Sequence, residues 1–177
     1  MAIFSKETYQ KAEEANKPFP AFKADQYIGT VNKVEVAQTE EKNWDAGVPT
    51  PTGNMEDVVK VTLALSNADG SPLQQLDVEA TKKGEGKMVY KDAEANTIQY
   101  WLSPTKIYVS KKKGPTKGQK FLTSLLELLP DTQITLNMLE KWIEGDELMF
   151  KELKIQVDLT GENGVYKNSI AGFMPKK

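Results

Sequence analysis

The stretch YIGTVNKVEVA, residues 27–37, decides the fold. Its apolar side chains do not keep step: Val31 is odd, while Val34 and Val36 are even. Successive side chains on a strand point to opposite faces, so an unbroken strand would hold one parity. The slip predicts a bulge or bend near Asn32 and Lys33. Gly29 lets the same strand curve. A long strand bent in its middle can serve both halves of one β structure.

Downstream, QTEEKNWDAGVPTPTGNM (38–55) reads as a long loop rich in Pro, Gly and Thr. DVVKVTLALS (57–66) alternates cleanly, with Val59, Val61, Leu63 and Leu65 opposite Lys60, Thr62 and Ser66. NADGSP (67–72) is a turn. LQQLDVEA (73–80) reads as a third alternating strand, with Leu76, Val78 and Ala80 inward. TKKGEGK (81–87) reads as a basic loop before a short strand, MVY (88–90). TIQYWLSPTKIYVS (97–110) reads as two short strands reversing at Ser103 and Pro104. That reversal would set Tyr100 opposite Ile107 and Trp101 beside Lys106. Two helices follow, in KFLTSLLELLP (120–130) and TLNMLEKWIEG (135–145), each with an apolar stripe. ELKIQVDLTGENGVYKNSIAGFM (152–174) is a terminal hairpin. Upstream, residues 5–16 read as a short helix broken by KPFPAF.

Residues 1–20 are thus an N-terminal helix or arm, and 21–177 a single domain with an inserted hairpin and Lys-rich loop over about 86–118. The order is three strands, an inserted hairpin, helices, then two strands. That is the order of a mainly β, OB-like five-stranded Greek-key barrel. A β-sandwich with a helical lid is the competing architecture.

Absences narrow the chemistry. The chain has no Cys, no His and no Arg; all 23 basic residues are Lys. Thiol nucleophiles, thiolate metal sites, the commonest general base and any arginine fork are excluded. GPTKGQK lacks the spacing of a phosphate loop, because Gly114 and Gly118 are too close and Gln119 intervenes. The acid pairs Glu40 and Glu41, Glu56 and Asp57, and Asp146 and Glu147 are adjacent in sequence, which suits no catalytic pair. No enzyme, cofactor or metal is expected. No apolar run is long enough to span a membrane, and the first residues lack an apolar signal core, so a cytoplasmic protein is expected.

Charge is unevenly placed. Between Glu94 and Glu127 lie Lys106, Lys111, Lys112, Lys113, Lys117 and Lys120, and no acid. That segment carries +6 in a chain of net charge −2, leaving −8 on the remainder. A local positive patch attracts polyanions. Trp101 and Tyr108 fall on the parity opposite the apolar stripe, beside these lysines. Proteins that hold single strands combine a positive groove with aromatic platforms on which bases stack. Trp44, in the first long loop, is a further platform candidate. Lys82, Lys83 and Lys87 form a second basic loop that could extend the track. Each signal has a plainer reading: a solvated loop for the lysines, a covered aromatic for Trp101, a loop staple for Trp44.

The segments ADQYIGTVNKVEV, EDVVKVTLAL, FLTSLLELL, EGDELMFKELKIQV and GENGVYKNSIAGFMP occur in a characteristic order. In that order the chain resembles small phage proteins encoded among replication and recombination genes, often described as binding single-stranded DNA or as of unknown function. Their terminal strand carries a Tyr/Asn pair and ends in an aromatic and Pro; the matching positions are Tyr166, Asn168, Phe173 and Pro175. The segment from Asp77 to Gly118 has no counterpart. The terminal FMPKK departs from the acidic tail of many single-strand binders. The resemblance implies single-stranded DNA or RNA as ligand, replication or recombination proteins as partners, and no membrane; a homo-oligomer is compatible with it. The rival expectations are a non-enzymatic adaptor, or an inhibitor of a nucleic-acid enzyme, acting through the acidic surface.

Overall fold

The computed structural model describes residues 21–43, 48–84, 87–162 and 164–176. The expected first helix, and Trp44, lie outside them. In chain order the elements are β1 (Asp25–Asn43), β2 (Thr50–Ser66), β3 (Gln74–Leu76), α1 (Val78–Lys83), β4 (Tyr90–Asp92) and β5 (Thr97–Leu102). A 3-10 turn (Pro104–Lys106), β6 (Val109–Ser110), β7 (Gly114–Pro115), α2 (Lys117–Leu125), α3 (Leu136–Glu144), β8 (Glu152–Glu162) and β9 (Val165–Pro175) complete the fold. Five strands form one antiparallel sheet in the order β5-β2-β1-β8-β9.

The parity slip in β1 is a real irregularity: its register against β2 shifts between Val31 and Lys33. Before it, Asp25 to Thr30 pair with β8 on the far side. At the bulge, the Val31 amide donates to Lys151 O at 2.9 Å, and the Phe150 amide donates to Val31 O at 2.8 Å. Beyond it β1 keeps only β2 as a neighbour, and the two strands run on together as a ribbon.

The core lies on the face that the alternation of β2 predicts. Val59, Val61, Leu63 and Leu65 are buried with Val31, Leu102, Leu153, Ile155 and Val157. Phe121, Leu122 and Leu125 of α2 pack onto the same cluster. Each such side chain stabilises the fold by about 1.5–3 kcal/mol when fully buried.

Four sequence expectations are corrected. Residues 38–55, expected as a loop, supply paired strand on both sides of residues 44–47; polar side chains on both faces conceal a ribbon that buries neither. Val78 and Ala80 are not on a strand. Asp77 accepts a hydrogen bond from the Ala80 amide at 3.0 Å and starts α1 instead. No hairpin forms at Ser103 and Pro104, where the chain makes a 3-10 turn; β5 pairs with β2, and β6 with β7. Finally, α2 ends at Leu125, with Glu127 in left-handed backbone at φ 55°, short of the apolar stripe.

Among the described residues no ladder joins β5 to β9, and hydrogen bonds there do not close the sheet into a barrel. The two edges meet through rings instead. Tyr100 of β5, Phe121 of α2 and Phe173 of β9 lie 4.8–5.0 Å apart, centroid to centroid.

Candidate nucleic-acid interface

With Tyr100 and Leu102 turned toward the core, strand geometry sends Trp101 to the outer face. Trp101 is 47% exposed, and Leu102 is fully buried. The ladders set Glu35, Lys60 and Trp101 side by side on β1, β2 and β5. The Lys60 ammonium stands 5.5 Å from the Trp101 ring centroid, within cation–π range. The neighbouring row is Lys33, Thr62 and Gln99. Lys33 reaches the Glu35 carboxylate at 2.5 Å, and this hydrogen bond holds the Glu35 carboxyl below its ordinary range.

A groove of about 530 Å³ runs between the ribbon and the end of β5. Trp101, Thr105 and Lys106 line one wall; Thr39, Glu41 and Glu56 line the other. Trp101 and Lys106 therefore line one groove, brought there by the 3-10 turn and not by the hairpin that the sequence suggested.

The lysine run is a tight turn between β6 and β7. Lys111, Lys112 and Lys113 are exposed, and Ser110 Oγ accepts from the amides of Lys112 and Lys113 at 3.3 Å. The turn is tied to the groove. Thr116 caps α2 by accepting from the Gln119 amide at 3.2 Å. Its hydroxyl also donates to Lys106 O at 2.7 Å, and its amide to Tyr108 O at 3.0 Å. Tyr108 is 54% exposed. Thr116 thus ties the segment of Lys106 and Tyr108 to the end of the lysine turn, and Lys120 is exposed on α2.

Other lysines lie elsewhere. The Lys117 ammonium donates to the Ile170 carbonyl of β9, and burial pushes its pKa down. Its charge is committed to the fold. Lys82 and Lys83 end α1, with Lys82 against Gly164 in the β8–β9 turn, where an added Cβ would lie 2.6 Å from Lys82 Cε. Lys87 is exposed. Among the described residues, no hydrogen bond or shared groove joins this second cluster to the lysine turn.

Lys33, Lys60 and Gln99 are surface residues that sequence reasoning passed over. A lone Lys on the polar side of a strand gives no cluster signal. Strand parity already sets Gln99 on the face of Trp101; the β1–β2–β5 register adds Lys33 and Lys60 to it. The sequence matches no protein-family model, and no curated protein is significantly similar to it.

Proposed function

We propose that this protein binds single-stranded DNA with little sequence preference, on an OB-like scaffold, in phage-type replication or recombination. Three features support the scaffold. The strand order β5-β2-β1-β8-β9 is that of an OB sheet, α2 falls between the third and fourth of those strands, and rings bridge the open edges. The observation that carries the function is Trp101, half-exposed on the outer face with Lys60 at its ring. A large aromatic at an exposed strand position adds little to the core and offers a stacking platform. The groove holds Trp101 and Lys106, and Thr116 bonds the Lys106 carbonyl to the strand that follows the lysine turn, which supplies further phosphate contacts. Glu40, Glu41 and Glu56 outnumber Lys42 on the opposite wall, so phosphates favour the Lys106 side. No catalytic group and no cofactor is needed.

Titration of tryptophan fluorescence with oligothymidine at low and moderate salt tests this reading. Quenching that Trp101→Phe abolishes, with affinity falling as salt rises, is the expected result. Absence of binding at low salt would remove the proposal.

A second reading rests on the ribbon. Glu40, Glu41, Glu56 and Asp57 outnumber Lys42 there, and Val36 and Met55 are 62% and 60% exposed. Acidic and apolar groups together suit a basic protein partner, as an adaptor or inhibitor requires. Val36→Ser with Met55→Ser would abolish function under this reading and leave single-strand binding intact under the first.

A further inference from the structure

The geometry points to Phe150 as a second base-stacking platform, which carries the single strand across the sheet from β5 to the far side of β1. This inference rests on the nucleic-acid reading above.

Phe150 is 75% exposed and has a left-handed backbone, φ 63°. That conformation disfavours any residue with a bulky side chain and favours glycine. An exposed ring repays none of that strain through burial. Strain held at a surface aromatic is the kind of outlier from which function is inferred. Its neighbours Leu148 and Leu153 are buried, so the segment itself is anchored.

Position supplies the second argument. The Phe150 amide bonds to Val31 O, one residue from the bulge at Asn32 and Lys33. Phe150 therefore flanks β1 on the side away from β2. The path across the sheet is diagonal: Phe150 stands beside Val31, Lys33 lies opposite Thr62 on β2, and Lys60 lies further along β2, opposite Glu35 and beside Trp101 on β5. Three inter-strand steps of about 4.8 Å, with a stagger of three residues along β2 at about 3.4 Å each, separate the two aromatics by roughly 18 Å. Two rings with lysines between them repeat the pattern of stacking platforms interleaved with phosphate contacts. Lys151 is exposed beside Phe150; Lys33 is paired with Glu35, so Lys60 and Lys151 are the lysines of this path that are left for phosphate. The path lies well within the roughly 4–16 nucleotides that one such face covers.

Phe150→Gly, Phe150→Trp and Trp101→Ala, titrated with labelled oligothymidine, test the assignment. Phe150→Gly should melt at a higher temperature than the parent, because glycine accepts the backbone angle. It should also bind about 5- to 100-fold more weakly, the worth of one base stack. Phe150→Trp should keep the parental affinity. A residue with a purely structural role would lower the melting temperature on truncation and leave affinity alone. If Phe150→Gly binds like the parent while Trp101→Ala loses affinity, the second platform is refuted and the function stands. A parent that binds no oligothymidine refutes both, and leaves Phe150 as an anchor for a protein partner beside Asp146 and Glu147.

Discussion

The ring of Tyr100 lies 4.8 Å from that of Phe173, at an interplanar angle of 68°. These residues belong to β5 and β9, the two edges of the sheet. Phe121 stands against both, 4.8 Å from Tyr100 and 5.0 Å from Phe173. Side-chain packing at this seam thus replaces the missing backbone ladder, and α2 is the plug. Phe121 is fully buried. Phe121→Ala should cost about 3–5 kcal/mol, a fall in melting temperature of roughly 6–20 °C for a chain of this size. A loss below about 1 kcal/mol in urea unfolding would mean that the seam does not hold the edges together.

Gly118 separates a packing role from a ligand role. In sequence it sits in GPTKGQK, which invites comparison with a phosphate loop. In the fold an added Cβ there would lie 2.8 Å from Leu102 Cδ1 and 3.0 Å from Lys106 O. Leu102 is fully buried and has little room to yield. Alanine favours a helix over glycine by about 1 kcal/mol, and overpacking costs about 1–3 kcal/mol. Gly118→Ala should therefore destabilise, by up to about 2 kcal/mol net. A more stable variant in chemical denaturation would show that α2 seats loosely on the 3-10 turn.

Much of this architecture is legible before any coordinates. The slip between Val31 and Val34 locates the bulge, and the alternation of Val59 to Leu65 identifies the core face. The stripe of α3 with Gly145, and the terminal hairpin, are equally plain. The misreadings have physical causes. Val78 and Ala80 keep strand parity, but the Asp77 cap decides for helix. The ribbon carries no apolar alternation because neither of its faces is core. The lysine cluster is visible as charge, yet sequence does not show that Lys117 spends its ammonium on Ile170. Lys60 and Phe150 give no signal at all until strand register and backbone angle are known.

Alkaline titration probes the lower end of the sheet. Tyr27 is buried, and its hydroxyl donates to Lys23 O. Burial, with Asp25 and Tyr90 nearby, pushes its pKa up from 10.0 to about 12. Between those values the unfolded chain has lost a proton that the native state keeps, so stability falls as pH rises. Burial raises Tyr100 in the same direction. Lys117 opposes both. Its pKa is depressed by burial, so the native state releases its proton first, and rising pH relieves a cost. Urea unfolding at intervals from about pH 9 to 12 should show a decline in the parent that is shallower in Tyr27→Phe. Equal slopes in the two proteins would place the loss elsewhere.

The salt dependence of binding measures how many lysines meet phosphate. Of the six in the basic segment, Lys117 is committed to Ile170, which leaves Lys106, Lys111, Lys112, Lys113 and Lys120. These five contribute about −3.5 to the log–log slope for a single strand, at roughly −0.7 each, and any lysine between Trp101 and Phe150 that meets phosphate adds to it. Changing Lys111, Lys112 and Lys113 together to Glu should make the slope shallower by about 2.1, before any repulsion. The fold should survive, since the three side chains are exposed and surface changes usually cost within about 0.5 kcal/mol each. Lys82→Glu with Lys83→Glu is the matched control. It alters charge almost as much, but at the β8–β9 turn, and should leave the slope near the parental value. If the control flattens the slope and the lysine-turn variant does not, the strand runs along α1 and the β8–β9 turn. The groove beside Trp101 is then not its path.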